Sequence, residues 1–95
     1  MAIGSFRDKR TEALSRGNAP RGFPGDLTRS ALRKLAMLVA AERLEDLASP
    51  PGNRLEALRG DRAGQHSIRV NDQWRICFRW IDGRAEEVEV VDDYH

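Results

Sequence analysis

The chain closes on Asp93-Tyr94-His95, a carboxylate, a phenol and an imidazole in succession. Together they supply a proton acceptor, a proton donor and a group that titrates near neutrality, the set that general acid–base catalysis draws on. A solvated terminus carries such side chains without partners, so their weight depends on what positions them. Cations are the other half of the chemistry. Fourteen of the sixteen basic residues are arginine, whose planar fork makes bidentate contacts to phosphate and stacks on bases. From Pro51 to Arg84 seven arginines stand against four acids, whereas residues 85–95 hold five acids and no Lys or Arg. A basic middle beside an acidic end suits an anionic ligand, and a solvated, salt-bridged surface has the same composition.

Several classes of function are excluded by composition. The 95 residues suit a single domain (1–95) with one small core, and 40% hydrophobic with 33% charged residues is the composition of a soluble globular protein. No apolar run approaches the roughly 20 residues needed to cross a bilayer, and residues 1–7 lack the apolar stretch of a secretory signal. A cytoplasmic location and no membrane partner are therefore expected. One cysteine, Cys77, rules out an internal disulfide framework, and one Cys with two His makes a closed zinc site implausible. Cys77 between Ile76 and Phe78 reads as a small sheet residue. A net charge of +1 argues against tight, non-specific binding to bare nucleic acid.

The elements that must position these groups follow from periodicity. Residues 3–6 read as a short opening strand. Ser5 with Asp8 three residues on resembles a capping box for a helix that ends at Gly17. Two prolines and two glycines in residues 18–25 make a loop, and Asp26 is the expected cap of the strongest helix. Leu27, Ala31, Leu35, Leu38 and Val39 form its apolar stripe. Leu44 and Leu47 add a ragged turn before Ser49-Pro50-Pro51-Gly52 ends the helical part. The period then becomes two, predicting strands over 54–59, 67–70, 74–80 and 85–91. Residues 60–64 form a turn, Asn71-Asp72 a tight turn, and Asp82-Gly83 a type I′ hairpin. Short connections force an antiparallel meander, so the fold class is α+β: two N-terminal helices packed on one face of a small, mainly antiparallel sheet.

Alternation places Trp74, Ile76, Phe78 and Trp80 under the helices and Arg75, Cys77 and Arg79 on the open face. With Arg59 and Arg62 from the glycine-bearing turn, Arg75 and Arg79 outline a phosphate cradle; a polar solvent face fits the same spacing. The final strand runs beside the Trp74–Trp80 strand, which brings the acid–phenol–imidazole end toward Arg75. A cation beside acid–base groups is what cleavage of a phosphodiester requires. His66, with no partner evident in the sequence, reads as a surface or half-buried structural residue.

The stretch Arg54-Leu-Glu-Ala-Leu-Arg-Gly-Asp-Arg-Ala-Gly-Gln-His-Ser-Ile-Arg-Val-Asn-Asp-Gln-Trp-Arg-Ile-Cys-Phe78, followed by Asp93-Tyr94-His95, resembles the HigB-type toxins of the RelE/ParE-like superfamily. Ser5-Phe6 and Gly17 fit as well, so the resemblance spans essentially the whole chain. It implies a RelE-like fold and a ribosome-dependent endoribonuclease that cleaves mRNA in the A site of the 70S ribosome. The attack comes from the RNA's own 2′-hydroxyl, with no metal or other cofactor. It also implies neutralisation by a helix-turn-helix, HigA-type antitoxin, and contact with operator DNA only through that antitoxin. By position, Asp93, Tyr94 and His95 would form the catalytic end, Arg75 would stabilise charge on the phosphate, and Arg59 would hold phosphate. Some relatives carry His in a Leu-His-Pro-Leu strand where this chain has Leu55-Glu56-Ala57-Leu58. Glu56 is then a candidate general base with His95 as acid, or a residue that orients His95 or pairs with an arginine. Two other readings share this fold: a non-catalytic, ParE-like inhibitor of DNA gyrase, and an inactive toxin serving as co-repressor with its antitoxin.

Overall fold

The computed structural model describes residues 3–18 and 20–92. Two helices, α1 (Lys9–Ser15) and α2 (Gly25–Ala40), precede four strands: β1 (Glu56–Ala57), β2 (His66–Arg69), β3 (Trp74–Ile81) and β4 (Arg84–Asp92). The strands pair in sequence order as an antiparallel sheet, so the expected α+β meander is the observed fold. Among the described residues, no helix is long and apolar enough to cross a membrane.

The N-terminal segment departs from the expected strand. Ile3 and Phe6 form two isolated parallel bridges, to Ala85 and Val88, along the free edge of β4. Asp8, not Ser5, caps α1, its Oδ1 accepting the Thr11 N–H at 2.7 Å. Ser5 is committed elsewhere: its hydroxyl donates to Glu86 Oε1 at 2.8 Å and accepts from the Glu87 N–H at 2.9 Å. The helix ends as expected at Gly17, whose φ of +87° is cheap only without a Cβ. The Gly17 and Asn18 N–H groups turn back to the Leu14 and Ala13 carbonyls, satisfying acceptors the helix leaves open. Thr11 ties α1 to the sheet, because its buried Oγ1 accepts the Val90 N–H at 3.0 Å.

Helix α2 starts one residue before Asp26. Pro24 occupies the cap without a side-chain bond, and Asp26 falls in the first turn, where its charge suits the helix dipole. Leu27, Ala31, Leu35 and Leu38 are buried, but Val39 is 43% exposed. One residue past Leu38 is about 100° further round the helix. That rotation puts Val39 on the rim of an open apolar groove with Ile3, Phe6, Leu32, Leu35 and Ala36. The expected ragged turn is a 3₁₀ turn over Leu44–Ala48, but helical structure also continues past Ser49, in 3₁₀ turns over Pro51–Asn53 and Gly60–Arg62. Proline is tolerated at the first position of such a turn because no backbone donor is needed there. β1 is correspondingly cut to two residues.

The aromatic row lies under the helices as expected. Ile76 and Phe78 are fully buried, Trp74 nearly so, and Trp80 packs at the margin, with Ile68, Val88, Val90, Leu14, Leu27, Leu38 and Leu47 completing the core. Each such side chain contributes roughly 1.5–3 kcal/mol of burial free energy. At the Asp82-Gly83 turn both residues have positive φ, 52° and 80°, the type I′ signature. Between Cys77↔Glu89 and Arg79↔Glu86 the register slips by one, so Glu87 and Val88 together oppose Phe78. Glu87 takes up the extra residue at φ 53°. The bulge reverses the phase of β4, turning Val88 and Val90 into the core and Glu89 onto the open face.

Candidate active site

Register builds the open face row by row. Glu56, Ser67, Cys77 and Glu89 face one another across the four strands, and Arg69, Arg75 and Val91 form the next row. The connection between β1 and β2 folds over this face and encloses a cleft of about 280 Å³. Glu56, Leu58, Arg59, Arg62, Ser67, Arg75, Cys77, Val91 and Asp92 line it. Four of the residues singled out by sequence therefore meet in one place. The larger groove beside Val39, about 440 Å³, is mostly apolar and lies on the helix side, away from these arginines.

Arg75 is the centre of the cleft. Its side chain is only 10% exposed, because flanking strands and the chain before β1 enclose it. The Nε–H donates to Ser67 Oγ at 2.9 Å, and Nη2 donates to the Arg54 carbonyl at 3.0 Å and lies 2.9 Å from Glu56 Oε1. A buried guanidinium needs such acceptors, since an uncompensated charge there is strongly destabilising. Glu56 is thus paired with an arginine in this structure. Its carboxylate is more than half exposed, so it presents both to Arg75 and to anything entering the cleft.

The other cations differ in how firmly they are held. Arg59 precedes the Gly60–Arg62 turn, is exposed, and makes no ion pair or side-chain hydrogen bond among the described residues. An exposed guanidinium of this kind is suited to meet a phosphate. Arg62 donates through Nη1 to Gln65 Oε1 at 3.1 Å and to Glu89 Oε1 at 3.2 Å. Glu89 also faces Arg7, at 3.7 Å, so one carboxylate braces both the turn and the N-terminal segment. Arg79 lies on the same sheet face but outside the cleft. Its Nε pairs with Glu87 at 3.1 Å, and its Nη1 packs where a Cβ on Gly64 would come within 2.7 Å.

Cys77 is buried in the cleft floor, consistent with a small sheet residue. His66 is half-buried, its ring 6.2 Å from that of Phe78 and near parallel to it, consistent with a structural place. Asp93, Tyr94 and His95, the catalytic end expected from sequence, lie outside the described residues. Asp92, which precedes them, lines the cleft and accepts from the Gln73 side-chain amide at 3.2 Å. Sequence reasoning missed Ser67, Glu89 and the Arg54 carbonyl. Alternation puts Ser67 opposite in phase to Ile68, but the register sets it across from Cys77, and only the folded structure shows the Arg75 side chain reaching over from the next row to bond it.

The described residues thus place two helices on one face of the sheet and an arginine-lined cleft on the other. Among solved structures, the crystal structure of a YafQ mutant from E. coli matches with a TM-score of 0.63. At 13% identity it covers 96% of this chain and 91% of its own, which establishes a shared fold. The family model of the RelE-like toxin of the type II toxin-antitoxin system HigB matches residues 4–95. Toxin HigB-1 of Vibrio cholerae is 43% identical over 86 residues, 90% of either chain. Endoribonuclease HigB of Proteus vulgaris is 31% identical over 93 residues, 98% of this chain and 99% of its own. The chain belongs to the HigB-like toxin family, and its partner is accordingly an antitoxin.

Proposed function

We propose that this toxin is an endoribonuclease that arrests growth by cutting mRNA in the ribosomal A site. The observation that carries the reading is the cleft itself: Arg75, Glu56, Arg59 and Arg62 line one concavity, and Asp92, three residues short of His95, stands in its wall. Three residues span at most about 10 Å, so the cleft is within reach of Asp93, Tyr94 and His95. The name of the Proteus vulgaris relative, an endoribonuclease, supports the same activity.

The chemistry follows from the groups. The 2′-hydroxyl 5′ to the scissile bond gives its proton to Glu56 and attacks the adjacent phosphorus; His95 protonates the departing 5′-oxygen, with Tyr94 and Asp93 beside it. One P–O bond forms as another breaks, leaving a 2′,3′-cyclic phosphate and a 5′-hydroxyl. Arg75 carries the negative charge that grows on the phosphoryl oxygens, and Arg59 and Arg62 hold flanking phosphates, with Arg79 contacting RNA outside the cleft. The mechanism needs no cofactor. A HigA-type helix-turn-helix antitoxin neutralises the toxin in the cytoplasm and links it to operator DNA.

The test is a reconstituted translation reaction with a defined message. The proposal predicts cuts only in messages on ribosomes, with cyclic-phosphate and 5′-hydroxyl ends. Intact message at full toxin occupancy, or cuts ending in 5′-phosphate, would refute it.

A further inference from the structure

The guanidinium of Arg75 is held by two acceptors that take no part in proton transfer. Ser67 is fully buried in β2, and its Oγ receives the Arg75 Nε–H at 2.9 Å. The Arg54 carbonyl, in the chain just before β1, receives Nη2–H at 3.0 Å. Arg54 is itself unusual, with φ 47° and ψ 54°, a left-handed backbone that a non-glycine residue keeps only where its surroundings enforce it. The enforcement is visible. Asn53, fully buried, donates to the Leu47 carbonyl at 3.1 Å and the Ser49 carbonyl at 3.4 Å, and accepts from Lys34 Nζ of α2 at 2.5 Å. The Arg54 N–H closes on the Pro51 carbonyl at 3.1 Å. A carbonyl is thereby aimed at Arg75 from a turn anchored across the molecule.

We propose that Ser67 is a positioning residue for Arg75, with the Arg54 carbonyl as its counterpart. Together they fix the plane of the guanidinium toward the cleft before RNA arrives. The inference rests on the reading of Arg75 as the group that stabilises phosphate charge. A donor that is already oriented loses nothing to reorganisation as the transition state forms, whereas a free arginine must first be ordered. Nε and Nη2 lie on one edge of the planar fork, so two bonds there fix its rotation as well as its place. Ser67 does this from beneath the cleft surface, because it is fully buried while its Oγ accepts from Arg75.

The test is a set of variants measured by single-turnover cleavage of a message in reconstituted translation. Ser67→Ala is expected to slow cleavage about tenfold or more, the worth of one hydrogen bond to a charged group, with KM within about twofold of the parent. The volume-matched pair Ser67→Thr and Ser67→Val covers the case in which alanine loosens the strand: threonine keeps the rate and valine loses it. In an Arg75→Lys background, which has no Nε–H, the Ser67→Ala change costs less than about twofold. The Arg75 Nε–H resonance in ¹⁵N NMR moves in Ser67→Ala and Ser67→Val but not in Ser67→Thr. Equal losses in the parent and Arg75→Lys backgrounds, or equal rates for the Thr and Val variants, would overturn the proposal. If Arg75→Ala cuts at the parent rate, the phosphate reading itself falls. If Arg75→Ala is slow while Ser67→Ala is not, only the positioning role falls.

Discussion

Replacing Arg75 with alanine removes the cation at the centre of the cleft, and the structure sets the size of two separate effects. The first is on rate. Taking away one preorganised charge-stabilising donor lowers an enzyme's turnover by about 10²–10³-fold, and Arg75 is the most buried cation in this cleft. The second is on stability. Ser67 Oγ and the Arg54 carbonyl lose their donor, and the Glu56 carboxylate loses its partner. A fully buried acceptor left unsatisfied costs about 1–3 kcal/mol. The Arg54 carbonyl is only partly buried and takes up water, and a pair with a carboxylate as exposed as Glu56 contributes about 0–1 kcal/mol. Arg75→Ala is therefore expected to lose about 1–3 kcal/mol, lowering Tm by roughly 5–20 °C for a domain of this size. The assay pairs single-turnover cleavage with circular dichroism at a temperature where parent and variant are both folded. Arg75→Lys, which keeps a charge but not the fork, is expected to fall between the two in rate. A folded Arg75→Ala variant that cleaves within about threefold of the parent would refute the assignment.

Three further outcomes follow from particular contacts. Glu56→Gln is expected to lower the cleavage rate about 10²–10⁴-fold while changing stability by less than about 1 kcal/mol; an undiminished rate would leave Glu56 as the counter-ion of Arg75 alone. The Asp46 carboxyl is held below its usual range, chiefly by the Arg43 N–H and next by the Glu42 N–H, which it accepts at 3.0 Å each. A carboxylate with its folded pKa depressed stabilises the fold above its unfolded pKa, near 4, and that contribution is lost as pH falls through the folded value. Urea midpoints measured downward from pH 5 are thus expected to drop more steeply for the parent than for Asp46→Asn, and parallel slopes would contradict this. Leu38→Ala, at a fully buried site of α2, is expected to cost about 2–5 kcal/mol in denaturant titration; a loss below 1 kcal/mol would show that the helix–sheet core closes over the gap.

Where sequence and structure agree, the signal was local and stereochemical. Asp82-Gly83 names its own turn because few residues accept two successive positive φ values, and the Trp74–Trp80 alternation sorts core from open face whatever the partner strands do. The disagreements come from competition between neighbours. Ser5 and Asp8 both suit a helix cap, and Asp8 wins because the Ser5 hydroxyl is taken by Glu86 and Glu87. Val39 sits at the edge of a stripe whose limit depends on how much of α2 the sheet covers. The bulge at Glu87 carries no sequence mark, since glutamate is a poor left-handed residue, yet it decides that Glu89 braces Arg62 and that Arg79 pairs with Glu87 beyond the cleft. The convergence of Arg59 and Arg62 on Arg75 was legible in outline from the strand face and the glycine-bearing turn, whereas Glu56 was singled out only through the family resemblance. The support beneath Arg75 was not, because a buried serine and a main-chain carbonyl have no charge pattern to read.

The central claim, that this toxin cuts translated RNA through its cleft and its Asp93-Tyr94-His95 end, is tested most directly by mapping 5′-hydroxyl RNA ends after brief induction in a bacterium. The parent chain and a variant lacking Tyr94 and His95 are compared, with antitoxin binding as the control for folding. The prediction is a burst of new ends in translated messages, phased to codons, that vanishes in the shortened variant while antitoxin binding persists. Growth arrest with no new RNA ends, or the same ends from the shortened variant, would contradict it.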